Sequence, residues 1–283
     1  MKKKETTFGN LMEVNIYPQP HSASSVRNPK KGCSTDAQIR YNKKRARSNL
    51  LRFVHCNFTG NDSLFVHLTF KAEISPQTSG EMVNEFKKFM RRLRTRRNKE
   101  IKKSNKQINS LIHKKRKTQK EKDLLKTAAD TIKVLQESLL YIYIIDATTH
   151  LKGKHKGKLH MHFHAFLSGV TEKLVKDAWG SLGIAKCSVF DPDRYGYDRA
   201  VNYISKASAG KKTYYPSHNL KEPDVAEDSI ELSRNGIEKL ARNRASLTNK
   251  LQSMYPSYTV IDVETTMNEI TGELSIHATL KLK

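Results

Sequence analysis

The sequence predicts an α+β protein with an antiparallel central sheet, flanking helices and a basic helical insertion. Three observations carry this expectation. Short β-branched and aromatic runs at Ser63–Phe70, Leu139–Asp146 and Leu159–Leu167 interleave with helical segments, without the even strand–helix rhythm of a parallel sheet. The second and third runs follow one another across a turn rich in Lys and Gly at 152–158, as the arms of a hairpin do. Between the first and second runs, Glu81 to Glu137 contains neither Pro nor Gly, which leaves room for long helices.

Taken in order, residues 1–33 hold Pro18, Pro20 and Pro29 among Ser and Asn and are expected to form a poorly ordered basic arm. A helix follows from Ser34 to about Phe53, with Ser34, Thr35 or Asp36 placed to cap it. Ser63–Phe70 is read as an interior strand because both faces are largely apolar. From Gly80 to Arg97, Met82, Val83, Phe86, Phe89, Met90 and Leu93 recur at the helical period and mark a buried stripe. The opposite side of that helix carries Lys87, Lys88, Arg91, Arg92, Arg94, Arg96 and Arg97. The stretch on to Glu137 reads as a helical insertion at about 98–137, in hairpin form, with Leu124, Leu125, Ala128, Ala129, Ile132 and Leu135 on one stripe. Thr171 caps a helix to Trp179, Ala185–Phe190 is a short strand, and Asp198 opens a short helix through Ala207. The tail is expected to hold a helix over Val225–Lys250 and a hairpin of Tyr258–Thr265 with Leu274–Leu282. The expected division is therefore 1–55 (arm and helix), 56–223 (core domain) and 224–283 (helix and hairpin).

The chain carries 52 Lys and Arg against 28 Asp and Glu, a net charge of +24. The surplus is concentrated: 12 basic against 3 acidic residues over 1–52, and 17 against 2 over 87–122. Two such blocks gain free energy from a polyanion by releasing its condensed counterions, so a nucleic acid is the expected partner. No run of apolar residues is long enough for a membrane span, and the basic residues of Met1–Glu5 precede no apolar stretch, so neither a membrane partner nor a secretory signal is expected. Cys33, Cys56 and Cys187 stand far apart, which suits a reducing cytoplasm and excludes both a disulfide scaffold and a paired-thiolate zinc site.

On the strand Leu159–Leu167, alternation puts His160, His162 and His164 on one face and Met161, Phe163 and Ala165 on the other. Histidines two apart on a strand can turn their imidazoles to one divalent cation. Asp146, ending the preceding strand, supplies a hard oxygen ligand. Two imidazoles and a carboxylate with open positions suit Mg²⁺ or Mn²⁺, and also accept zinc or nickel. Further on, Tyr203 and Lys206 stand three apart in Asp198–Ala207, so on a helix a phenol and an ammonium share one face. A neighbouring cation favours the phenolate and can hold a phosphate.

The order of these features resembles the HUH endonucleases, specifically the single-tyrosine rolling-circle replication initiators of small phages and plasmids. Val66-His-Leu-Thr-Phe70 is similar to the first motif, Asp146 with His162-Phe-His164 to the second, and Tyr203-Ile-Ser-Lys206 to the third. The resemblance covers about 63–210, and the acid is Asp where Glu is usual. It implies a ferredoxin-like or RNA-recognition-like core and a metal held by His162, His164 and Asp146, with the pair His160/His162 as the alternative. It further implies that Tyr203 nicks single-stranded origin DNA, assisted by Lys206, leaving a 5′-phosphotyrosyl link and a free 3′-hydroxyl. The basic helix would hold the origin backbone. No nucleotide-binding Gly-x-x-x-x-Gly-Lys loop is present, so helicase and polymerase are expected from the bacterial host, in whose cytoplasm the protein would act. A plasmid relaxase or a single-tyrosine transposase shares this motif order, and a non-catalytic nucleic-acid-binding protein shares the charge.

Overall fold

The computed structural model describes residues 1–18, 36–60, 62–149, 157, 159–191, 199, 201–202, 212–231, 233–267 and 273–283. In chain order the first half contains β1 (Lys2–Phe8), β2 (Leu11–Tyr17), α1 (Asp36–Asn57), β3 (Leu64–Phe70), α2 (Ser79–Ile112), α3 (Gln119–Gln136) and β4 (Leu140–Thr149). The second half contains β5 (Leu159–Ser168), α4 (Glu172–Trp179), β6 (Gly183–Val189), β7 (Tyr215–Pro216), β8 (Asp224–Ser229), α5 (Arg234–Ala241), α6 (Arg244–Met254), β9 (Tyr258–Met267) and β10 (Leu274–Leu282). The protein is α+β, with two antiparallel five-stranded sheets. No described helix is long and apolar enough to cross a membrane.

Two compact units emerge: Met1–Arg40 with Lys221–Lys283, and Tyr41–Leu220. The expected three-way division is thereby revised, because the two chain ends share one sheet.

The unit Tyr41–Leu220 contains the sheet β6-β3-β5-β4-β7. Elements β3, α2–α3, β4, β5, α4 and β6 follow the ferredoxin-like sequence β-α-β-β-α-β, and their strands lie in its fourth–first–third–second order. Side chains directly opposite in register share a face, so the pairs Leu68↔Phe163, Val66↔Ala165, Tyr143↔Ala165 and Ile145↔Phe163 define one side. That side buries Met82, Phe86, Phe89, Met90 and Leu93 of α2 and Leu174, Val175 and Ala178 of α4 in a single cluster. The other side carries Ile142, Ile144 and Phe166, packed with Leu50 and Val54 of α1 and with Phe58 just beyond its end. Strand β3 is interior as expected, but its faces differ. Leu64, Val66, Leu68 and Phe70 are buried, whereas Phe65, His67 and Thr69 are only partly covered.

Helix α2 is longer than its apolar stripe indicates and runs unbroken to Ile112. Its start is fixed by Thr78, whose hydroxyl accepts from the Glu81 N–H while the Glu81 carboxylate accepts from the Gln77 N–H. The insertion is a helical hairpin. A capping box between Thr118 and Glu121 opens α3, and Lys114 pairs with Glu121 at 2.6 Å across the turn.

Arg97 ties this hairpin to the sheet. Its guanidinium donates to the carbonyls of Gly169, Leu135 and Glu137, joining the exit of β5 to the chain entering β4. Gly169 has φ +73°, and a Cβ there would lie 2.7 Å from the Ser138 carbonyl oxygen, so only glycine allows this approach.

In the other unit, β8-β1-β2-β10-β9 form a sheet whose Met12, Val14, Ile16, Ile276, Ala278 and Leu280 pack against Ile237, Leu247 and Leu251 of α5 and α6. The expected disordered arm thus contains a hairpin, β1–β2, closed at Gly9 (φ +60°) and Asn10. The expected single helix over Val225–Lys250 is instead β8 followed by two helices. Both revisions have one cause. The lysine strand β1 pairs with the acidic strand β8, with Lys4 Nζ 2.7 Å from Glu227 Oε1, and neither strand has an apolar pattern of its own.

Candidate metal centre

The centre lies on the side of the sheet opposite α2 and α4. His67 of β3 is in register with His164 of β5, Thr69 with His162, and Asp146 of β4 with His162. Three adjacent strands therefore send His67, His162, His164 and Asp146 to one face. Alternation along each strand does the rest, because Leu68, Phe163 and Ile145 between them are buried on the far side.

Asp146 Oδ2 stands 3.2 Å from His162 Nε2 and 3.4 Å from His164 Nε2. Donor atoms about 2.1 Å from a shared cation lie roughly 3.0–3.4 Å apart, so these separations suit common ligation. The ring of His67 stacks on that of His164 at 4.6 Å and meets His162 edge-on at 4.7 Å. One ring nitrogen from each of His67, His162 and His164 falls within 4.8 Å of the other two, so the three could hold a metal ion. His67 Nε2 is buried without a hydrogen bond, as suits an imidazole nitrogen that meets a metal rather than a polar protein group.

The electrostatics keep the donors in binding form. Burial, followed by the proximity of His164, His162 and Lys186, pushes the His67 pKa down to about 4, so its ring is neutral at pH 7. Burial alone would raise the pKa of Asp146. Hydrogen bonds from His162, His164 and the Ala147 N–H outweigh it and hold the carboxyl well below the usual range.

Of the residues expected at the site, Asp146, His162 and His164 come together. His160 shares their face, opposite Thr148, but is not among the three histidines whose ring nitrogens converge, and its ring lies 6.2 Å from that of His162. Tyr203 and Lys206 lie outside the described residues. His67 was missed by the sequence reasoning, which placed it between two apolar faces. The available signal was its position in Phe65-Val-His-Leu-Thr69, where a strand interior turns one His away from Val and Leu. Lys186 was also missed. It is directly opposite His67 on β6 and exposed.

The basic helix lies apart from the histidines, and its cations differ in their surroundings. Its cations sit behind the sheet, since α2 packs on the side away from the histidines. Two of them are structural: Arg97 as above, and Arg92, whose Nε donates to the Ala178 carbonyl at 2.9 Å. Lys88 pairs with Glu85 at 2.7 Å, while Lys87, Arg91, Arg94 and Arg96 are exposed.

No protein-family model, no curated protein and no solved structure matches the chain.

Proposed function

We propose that the protein is a metal-assisted, tyrosine-dependent nickase of single-stranded DNA that initiates rolling-circle replication. The observation that carries the reading is the convergence of His67, His162 and His164, with Asp146 beside the latter two, from three adjacent strands of a ferredoxin-like sheet. A second observation concerns the chain between β6 and β7, which lie at opposite edges of that sheet. Phe190, Val201 and Tyr214 from this connection pack with Ile144 and Phe166 on the histidine side. The described residues Phe190, Val201 and Tyr214 of this connection thus lie along the metal face, and Val201 is two positions in sequence from the proposed nucleophile.

Three imidazoles and one carboxylate are a donor set better matched to Mn²⁺ than to Mg²⁺, which prefers oxygen. When bound, the cation would polarise the scissile phosphate and offset the charge gathering on its oxygens. His67, His162, His164 and Asp146 would hold it. The phenol of Tyr203 releases its proton to water, the Lys206 ammonium stabilises the phenolate, and the phenolate oxygen attacks phosphorus. The P–O3′ bond breaks, the 3′-oxygen takes up a proton, and the 5′-phosphate remains on the tyrosine. The free 3′-hydroxyl can then prime a host polymerase, with unwinding supplied by a host helicase.

The test is incubation with a randomised pool of end-labelled single-stranded DNA and Mn²⁺, resolved under denaturing conditions. A covalent protein–DNA species and a new 3′ end that a polymerase extends are expected. Binding without either product would leave a non-catalytic DNA-binding protein.

A further inference from the structure

Among the described strand residues, the histidine face is poor in fixed positive charge. By register, Lys186 is the single Lys or Arg that the described strand residues place there. The cations of α2 lie behind the sheet, so a polyanion at this face needs another source of charge. Helix α1 is on the correct side, because its Leu50 and Val54 pack on Ile142, Ile144 and Phe166.

Only the C-terminal half of α1 is used for that packing. From Tyr41 to Asn49 no side chain is buried, a length of about 13 Å. Lys43, Lys44, Arg45 and Arg47 are exposed there, and Tyr41 is 61% exposed. Lys44 and Arg45 follow Tyr41 by three and four positions and flank its ring on one side of the helix. Lys43 and Arg47 precede Leu50 by seven and three positions, on the line of the buried stripe, where apolar side chains give way to cations. Lys43, Lys44 and Arg45 form no ion pair among the described residues. A membrane-surface helix would need a broad apolar face beside its cations, and this half offers none. An exposed aromatic ring set among cations is instead the composition of a surface that stacks bases and pairs phosphates of a single strand.

We propose that the N-terminal half of α1 is the docking element for single-stranded DNA reaching the histidine face. Tyr41 stacks on a base, and Lys43, Lys44 and Arg45 hold the neighbouring phosphates. The proposal rests on the reading of that face as a DNA-cleaving site.

The chain's single tryptophan, Trp179, is 1% exposed, so Tyr41→Trp adds the one solvent-facing indole. Titration with short oligothymidylate is expected to quench its emission, with the midpoint moving to higher DNA concentration as salt rises. Measured by fluorescence anisotropy, Tyr41→Ala and a combined Lys43→Gln, Lys44→Gln, Arg45→Gln variant should each bind about tenfold more weakly. Tyr41→Phe should bind like the parent protein. Saturation without quenching, or native affinity in both weakened variants, overturns the proposal. The two readings fail separately. A protein that quenches but never forms an adduct keeps the docking surface and loses the nickase, whereas normal binding and cleavage by the α1 variants removes the docking surface alone.

Discussion

Asp146 and His162 are register partners across β4 and β5, with the carboxylate Oδ2 3.2 Å from the imidazole Nε2. The same oxygen lies 3.4 Å from His164 Nε2, so one carboxylate gathers two of the three histidines of β5, His162 and His164. This depends on register alone: a one-residue slip of β5 would turn both rings into the apolar core.

Metal affinity should follow the converging set and not the count of histidines. Calorimetric titration of Mn²⁺ should show His67→Ala, His162→Ala, His164→Ala and Asp146→Ala each losing at least about tenfold in affinity, with His160→Ala nearly unchanged. A His160 variant as impaired as the others would redraw the ligand set.

The metal-free protein should lose stability in mild acid. In the folded state His67 takes up a proton only near pH 4, against 6.5 for the ordinary group. As pH falls between those values, the unfolded chain binds a proton that the folded chain refuses, so stability declines through that window and this contribution levels off below it. Urea midpoints measured across pH should show that decline in the parent protein and a shallower one in His67→Phe. Parallel curves would mean that His67 is not the group responsible.

Arg97 should matter for stability far more than its neighbours. Arg97→Met strands three backbone carbonyls that the guanidinium satisfies, at a cost of about 2–3 kcal/mol. Arg91→Met, at an exposed position, should stay within about 0.5 kcal/mol. Chemical denaturation of the two variants separates a structural from a solvated arginine.

If the back of the sheet also contacts DNA, the exposed cations should do it. Replacing Lys87, Arg91, Arg94 and Arg96 by Gln should weaken DNA binding regardless of sequence and flatten the salt dependence by up to about 3 in log–log slope. An unchanged slope would make this side of α2 a plain solvated surface.

Where apolar periodicity was local and strong, the sequence was sufficient. The stripe Met82–Leu93 marked α2, and the alternation His160–Ala165 identified both faces of β5 before any partner strand was known. It failed where structure depends on a distant partner. Lys2–Phe8 becomes a strand because acidic Asp224–Ser229 lies beside it, from the other end of the chain. His67 becomes a candidate ligand because register sets it against His164, nearly a hundred positions away. The side of the sheet that α2 covers was likewise not legible, since a stripe shows that a helix is buried and not which face buries it.

The central claim is that Tyr203 is the nucleophile, and one measurement addresses it most directly. Protein cross-linked to single-stranded DNA in the presence of Mn²⁺ is digested, and the nucleotide-bearing peptide is located by mass spectrometry. The expected modification is on Tyr203, absent in Tyr203→Phe and retained in Tyr195→Phe and Tyr197→Phe. A modification on Tyr195 or Tyr197, or an adduct that persists in Tyr203→Phe, would contradict the assignment.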